Sequence, residues 1–236
     1  MILLQPSYFP NIASLVAQLQ GEVRLEVCDN FQKQTYRNRC YIATDQGRQM
    51  LGIPILHRKE GSERQKTAEV QVDQSSRWAS LHWKSLQAAY RSSPYFEFYE
   101  DELAPFFEQP SDSLLEICLA SHRLLCELLD IPFEENKTTQ YQTPLELESQ
   151  TEIKDMRFLV NAKKKIQFQP PVYPQVFSDR HGFIKNASGL DLLFNEGPNA
   201  RSYLLSCPWL KADTVIPPES GNDRTSFGHR SSARAF

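Results

Sequence analysis

The feature that most constrains this chain is a strand, a helix and a second strand crowded between Ile2 and Val27. Ile2-Leu3-Leu4 is a short apolar run. Ile12, Leu15, Val16 and Leu19 then recur on one helical face, and Val23-Arg24-Leu25-Glu26-Val27 alternates as a half-buried strand does. Gly21 is placed to stop the helix. Such a succession reads as a βαβ unit: two parallel strands and a right-handed crossover. The connection Gln5-Pro6-Ser7-Tyr8-Phe9-Pro10 carries two prolines and two aromatic residues but no glycine. Loops that cradle phosphate at this topological place need glycines. This one is expected to form a shaped wall for a ligand instead.

Downstream, Cys40–Thr44 and Met50–Leu56 flank Asp45-Gln46-Gly47-Arg48, a hairpin connection with Gly47 available for positive φ. His57–Lys66 reads as a charged loop, and Ala68–Val72 alternates like a further strand. Ser75 or Ser76 is placed to cap a helix through Trp78, Leu81, Leu86 and Tyr90, which Ser93-Pro94 ends. Further helices are expected at Glu97–Phe107 and Asp112–Asp130. From Pro132 to Gln169 the pattern weakens to loops with one short strand, including the lysine run at Lys163. Prolines keep Val172–Phe177 extended. Ser188 to Asp191 resembles a capping box that opens a short helix closed by Gly197-Pro198. The expected fold is α/β: a mixed sheet with a parallel βαβ start, an antiparallel hairpin and a helical region. One domain is expected over residues 1–210, followed by a flexible tail at 211–236 whose composition is polar and rich in Pro, Gly, Ser and Arg.

A net charge of −3 gives no reason to expect nucleic-acid binding, and the apolar runs are too short to span a membrane. The start of the chain lacks a basic region and a small-residue cleavage site, as a cytoplasmic protein would. Five cysteines at scattered spacings suit reduced thiols better than a disulfide framework. The histidines His57, His82, His122, His181 and His229 form no helical pair and stand near no cysteine pair, so no metal or other cofactor is expected.

Ligands of open α/β sheets bind beyond the carboxyl ends of the strands. The first loop leaves β-structure at that edge, and Cys28-Asp29-Asn30-Phe31-Gln32-Lys33-Gln34-Thr35-Tyr36-Arg37-Asn38-Arg39 leaves the second strand at the same edge. In this reading Tyr8 and Phe9 line an apolar wall. Lys33, Arg37 and Arg39 offer cationic donors for carboxylate or phosphate, and Asp29 is the natural acid or base. A solvated charged loop above an aromatic mini-core explains the same residues. In the last third, helix capping accounts for Ser188, Asp191 and Asn195 but leaves Gln175, His181 and Asn186 unexplained.

Five stretches in order carry a resemblance: LQPSYFP at 4–10, CDNFQKQTYRNR at 28–39, LGIPI at 51–55, the W-x-x-x-H-x-x-S-L-x-x-A-Y-x-x-S-P-Y-F run ending at Phe96, and Y-P-Q-V-F…G-F…N-x-S-x-L-D-L-L-F-N-E-G-P from Tyr173. Together they resemble the WbqC-like protein family, which is associated with O-antigen gene clusters and with proposed transfer of glycine or another acyl group to a sugar. Longer members carry a Gly-rich stretch where this chain has NAKKKIQFQPP. The resemblance implies a cytoplasmic transferase that acylates or aminoacylates a sugar or sugar-nucleotide intermediate of surface-polysaccharide assembly, with an acyl carrier protein as a possible partner. Asp29 or His181 would then assist proton transfer, while Lys33, Arg37 and Arg39 hold an anionic donor and Tyr8 and Phe9 stack on a ring. Gln5, Tyr36, Asn38, Gln175 and Asn186 would complete the substrate contacts. The alternative is a non-catalytic module that binds a small molecule or a carrier protein. A nucleotide-dependent enzyme is disfavoured, because no Gly-rich loop is present.

Overall fold

The opening strand β1 (Ile2–Leu4), helix α1 (Ile12–Gln18) and strand β2 (Val23–Leu25) form as the apolar pattern dictates. The structure, a computed structural model, describes residues 1–56, 64–163 and 166–211. The expected tail lies outside them apart from Lys211, as do most of the expected charged loop at 57–66 and part of the lysine run. β1 and β2 pair in parallel, with Ile2 opposite Val23 and Leu4 opposite Leu25. β2 stops at Leu25, before the expected Val27. Glu26 is fully buried, and its carboxylate accepts the backbone N–H of Cys28, which breaks the strand's alternation. Asn11 caps α1 by accepting the Ser14 N–H, and the Asn186 side chain accepts the N–H of Ala13.

Strands β3 (Arg39–Thr44) and β4 (Gly47–Gly52) make the expected antiparallel hairpin. Gly47 opposes Thr44 at φ 93, a conformation that glycine adopts freely. Ala68–Val72 is not a strand. Thr67 donates its N–H to the Asp29 carbonyl and its hydroxyl to the Asp29 carboxylate. The chain there closes into a 3₁₀ turn at Thr67–Glu69, and only lone bridges join Gln71 to Ser113 and Val72 to Ile55. Helix α2 (Trp78–Tyr90) is not capped by Ser75 or Ser76: Asp73 caps the preceding 3₁₀ turn, and Arg77 enters the helix at φ 50. Helices α3 (Phe96–Glu108) and α4 (Leu114–Leu128) follow, the latter capped by Ser113.

The segment with the weakest pattern completes the sheet. After α5 (Pro144–Glu148), strand β5 (Lys154–Asp155) pairs in parallel with β1, giving the order β2-β1-β5. On the far side Lys137 bridges Leu25, also in parallel. Parallel and antiparallel pairing therefore segregate into two small sheets, and the fold is mixed α/β. The chain closes with α6 (Ser178–His181), α7 (Gly189–Glu196) and α8 (Ala200–Ser206). Ser188 caps α7 as expected, but Asp191 takes no part in a capping box. Its carboxylate is fully buried and accepts the hydroxyls of Tyr90 and Tyr173 and the amide of Gln175. Among the described residues no helix is long and apolar enough to cross a membrane.

Candidate functional site

Parallel pairing sends every strand's carboxyl end to one edge of the sheet, and there the chain builds a cleft of ≈ 330 Å³. Each parallel element delivers the residues that follow it. Gln5 comes from β1, Asp29 from β2, and Arg157 and Phe158 from the turn after β5, with Asp155 at that strand's end; Glu26, fully buried, follows β2 without lining the cleft. Tyr141 arrives from the segment that begins at the Lys137 bridge. A contiguous outer lobe of ≈ 430 Å³ shares Asp29, Gln32 and Tyr141 and adds Asn30, Phe31 and Arg64.

Two ion-pair systems organise the inner lobe. Asp29 and Arg37 pair at 4% and 1% exposure, and Asp29 also accepts the Gln5 amide at 3.0 Å and the Thr67 hydroxyl at 2.7 Å. Burial pulls the Arg37 pKa below its ordinary value, and the Asp29 carboxylate partly offsets it. Arg157 lies between two carboxylates. Its Nε and Nη2 donate to Asp155 at 2.8 and 2.7 Å, and its Nη1 approaches Glu26 at 3.2 Å. Burial opposes the charge of Arg157, but the hydrogen bonds and charge of Asp155 prevail and raise its pKa. The guanidinium carbon also stands 5.2 Å from the centre of the Tyr141 ring. Glu26 completes its own coordination with the Thr138 hydroxyl at 3.0 Å.

Of the residues singled out in the sequence, Gln5, Asp29 and Arg37 meet in this cleft. Tyr8 and Phe9 do not form its wall. They are fully buried, their rings packed among Trp78, His82, Phe106 and Phe107, with the Tyr8 hydroxyl 3.0 Å from His82 Nδ1. Apolar rings beside α3 gain more from the dry core than from a wet edge. Lys33 is exposed and lines neither lobe; Arg39 begins β3, and Asn38 just before it donates to the Ile53 carbonyl. Tyr36 turns its ring onto Tyr41. Gln175 belongs to the Asp191 network, and Asn186 serves the start of α1. Both ring nitrogens of His181 face backbone carbonyls, those of Gly182 and Thr44, away from Asp29. Of the two alternatives for proton transfer, Asp29 lines the cleft and His181 does not.

Tyr141, Asp155, Arg157 and Phe158 went unnoticed in the sequence, since they lie where the periodicity fades. The alternation of acid and base in Lys154-Asp155-Met156-Arg157 was the available signal. Cys40, Cys118 and Cys126 are buried thiols, with burial pushing Cys118 and Cys126 up to about 12, so none is poised as a nucleophile. Among the described residues no group of three or more His, Cys, Asp or Glu side chains is placed to hold a metal ion.

The chain is similar to "Uncharacterized protein Rv1507c" of Mycobacterium tuberculosis, at 28% identity over 203 residues that span 75% of this chain and 84% of the relative. No solved structure matches. The profile of the WbqC-like protein family matches residues 5–167, a span that holds every cleft residue described above. By that match the chain belongs to the WbqC-like protein family.

Proposed function

We propose that the cleft binds a small, hydroxyl-rich sugar intermediate and that the chain transfers an acyl or aminoacyl group to it. One observation carries this reading: four parallel elements deliver Gln5, Asp29, Arg37, Asp155, Arg157 and Tyr141 to a single concavity. Carboxylates and amides accept from sugar hydroxyls, while Tyr141 and Phe158 offer apolar faces to a ring. The size of each lobe falls within the range of small-molecule sites, roughly 300–1,000 Å³.

Transfer needs an acceptor that loses a proton as its oxygen or nitrogen attacks the donor's carbonyl carbon, while the carrier's leaving group departs. Asp29 spends three acceptor positions on Arg37, Gln5 and Thr67. Asp155, whose side chain is 24% exposed, is the more accessible base. The surface-polysaccharide context and an acyl carrier donor rest on family likeness alone, and the cytoplasm is the compartment proposed for five free thiols.

The second reading, a non-catalytic binding module, is favoured by the commitment of both guanidinium groups, those of Arg37 and Arg157, to carboxylates. Incubation with acyl- and aminoacyl-carrier donors plus sugar nucleotides, followed by product mass, separates the two. An acylated sugar, reduced at least tenfold by Asp155→Asn, supports transfer. Saturable binding without product from any matched donor replaces transfer by the module.

A further inference from the structure

The ion-pair system beneath the inner lobe is not electrically neutral. Asp29 and Asp155 line the lobe with Arg37 and Arg157, and the fully buried Glu26 adds a third carboxylate behind Arg157. By formal charge one negative unit is left over, and Arg157 is the group that must serve two acids. Both cations are already committed, so neither is free for an incoming anion. The surplus sits on the Asp155 side, the more open part of the pair system, where Asp155 Oδ2 receives a single Arg157 donor at 2.7 Å.

Gln5 supplies an independent observation. It is 7% exposed and lines the cleft, its amide nitrogen committed to Asp29. Its carbonyl oxygen is buried and has no hydrogen-bond partner among the described residues. Such an orphaned acceptor is costly and is relieved by a donor. An excess of negative charge beneath the lobe and an unsatisfied acceptor on a residue that lines it call for the same partner: a group rich in N–H donors that carries positive charge.

The outer lobe has the opposite need. Arg64 lines it, is exposed, and has no ion pair among the described residues. Asp29, Gln32 and Tyr141 are common to both lobes, so one molecule can reach from Gln5 to Arg64.

We propose that the ligand is an amino sugar bearing a free primary amine, seated as its ammonium between Asp155 and the Gln5 carbonyl, with an anionic substituent such as a phosphate directed to Arg64. This rests on the reading of the cleft as a sugar site and makes it narrower: the acceptor atom is nitrogen rather than oxygen. That nitrogen gives one ammonium proton to Asp155 before its lone pair attacks the donor carbonyl, and it loses a second as the carrier's leaving group departs. It also reverses the expectation that cations of the second loop hold an anionic donor, since Arg37 is committed to Asp29 while Lys33 and Arg39 lie outside both lobes.

Isothermal titration of the full chain tests it, using glucosamine, galactosamine and mannosamine, each beside its N-acetyl derivative and parent hexose, and the 1-phosphates of the amines. A charge-assisted contact predicts that at least one free amine binds about tenfold or more tightly than both counterparts. Asp155→Asn should erase that preference, and Arg64→Gln should erase the gain from phosphate. The ligand panel on the unaltered chain decides the matter even where Asp155→Asn weakens the fold. Equal binding of amine, N-acetyl and hydroxyl forms overturns the ammonium assignment and leaves the sugar site standing. Failure of every sugar to bind overturns both.

Discussion

Arg37 illustrates how burial changes the meaning of a residue. Read as a cation in a polar loop it would be free to meet a ligand, yet only 1% of it is exposed and Asp29 is its ion-pair partner. Removing one member of a buried pair strands the other charge, so Arg37→Ala is expected to cost about 3–5 kcal/mol in denaturant unfolding. Lys33→Ala, on the exposed part of the same loop, should change stability by less than about 0.5 kcal/mol. Equal effects would show that the loop is not split into buried and solvated halves. The buried histidines give a second prediction. Burial lowers His82 to about 4 and His122 to about 3, whereas unfolded imidazoles take up protons below about pH 6.5. The unfolded chain therefore binds more protons in that window, and stability present above pH 6.5 is lost as pH falls. Urea midpoints should fall between pH 7 and pH 5, above the range of ordinary carboxylates. A flat profile would contradict the burial of both rings.

Elements legible in the sequence are those whose side chains bury one face against the core. The α4 stripe is of this kind, and Leu125 within it is fully buried, so Leu125→Ala should cost about 2–5 kcal/mol by thermal or denaturant unfolding. The same leucine meets α7 at Gly189, where a Cβ would lie 2.5 Å from Leu15 Cδ1 and 2.9 Å from Leu125 Cδ2. Gly189→Ala should consequently overpack the α1–α4–α7 junction and cost about 1–3 kcal/mol, although alanine is the better helix former. A stabilised variant would mean that the junction has slack. By contrast β5 has two residues, Lys154 and Asp155, with no alternation to read. It is a strand because the carbonyls of Met1 and Leu3 accept the N–H groups of Lys154 and Met156, a cause absent from its own side chains. Ala68–Val72 shows the converse, since a fair strand pattern yields to the two hydrogen bonds that tie Thr67 to Asp29.

For the whole molecule, the described core ends at Leu210, which is 3% exposed. A chain ended at Lys211 should keep its melting temperature within about 2 °C, because it retains that core; failure to fold would show that later residues are docked. The sequence by itself determined the βαβ start, the hairpin, the long helices and the convergence of two loops on one sheet edge, because period and turn chemistry are local properties. It also led to Gln5, Asp29 and Arg37, which follow directly from the parallel pairing. Only the tertiary structure decided which other residues reach that edge. Tyr8 and Phe9 were drawn into the core by apolar area that α2 and α3 cover, Asp155 and Arg157 were brought to the cleft by the pairing of Ile2 with Lys154, and Tyr141 by the bridge of Lys137 to Leu25. Long-range pairing leaves no periodic trace in a two-residue strand, so the second half of the site became visible only when the backbone closed the sheet.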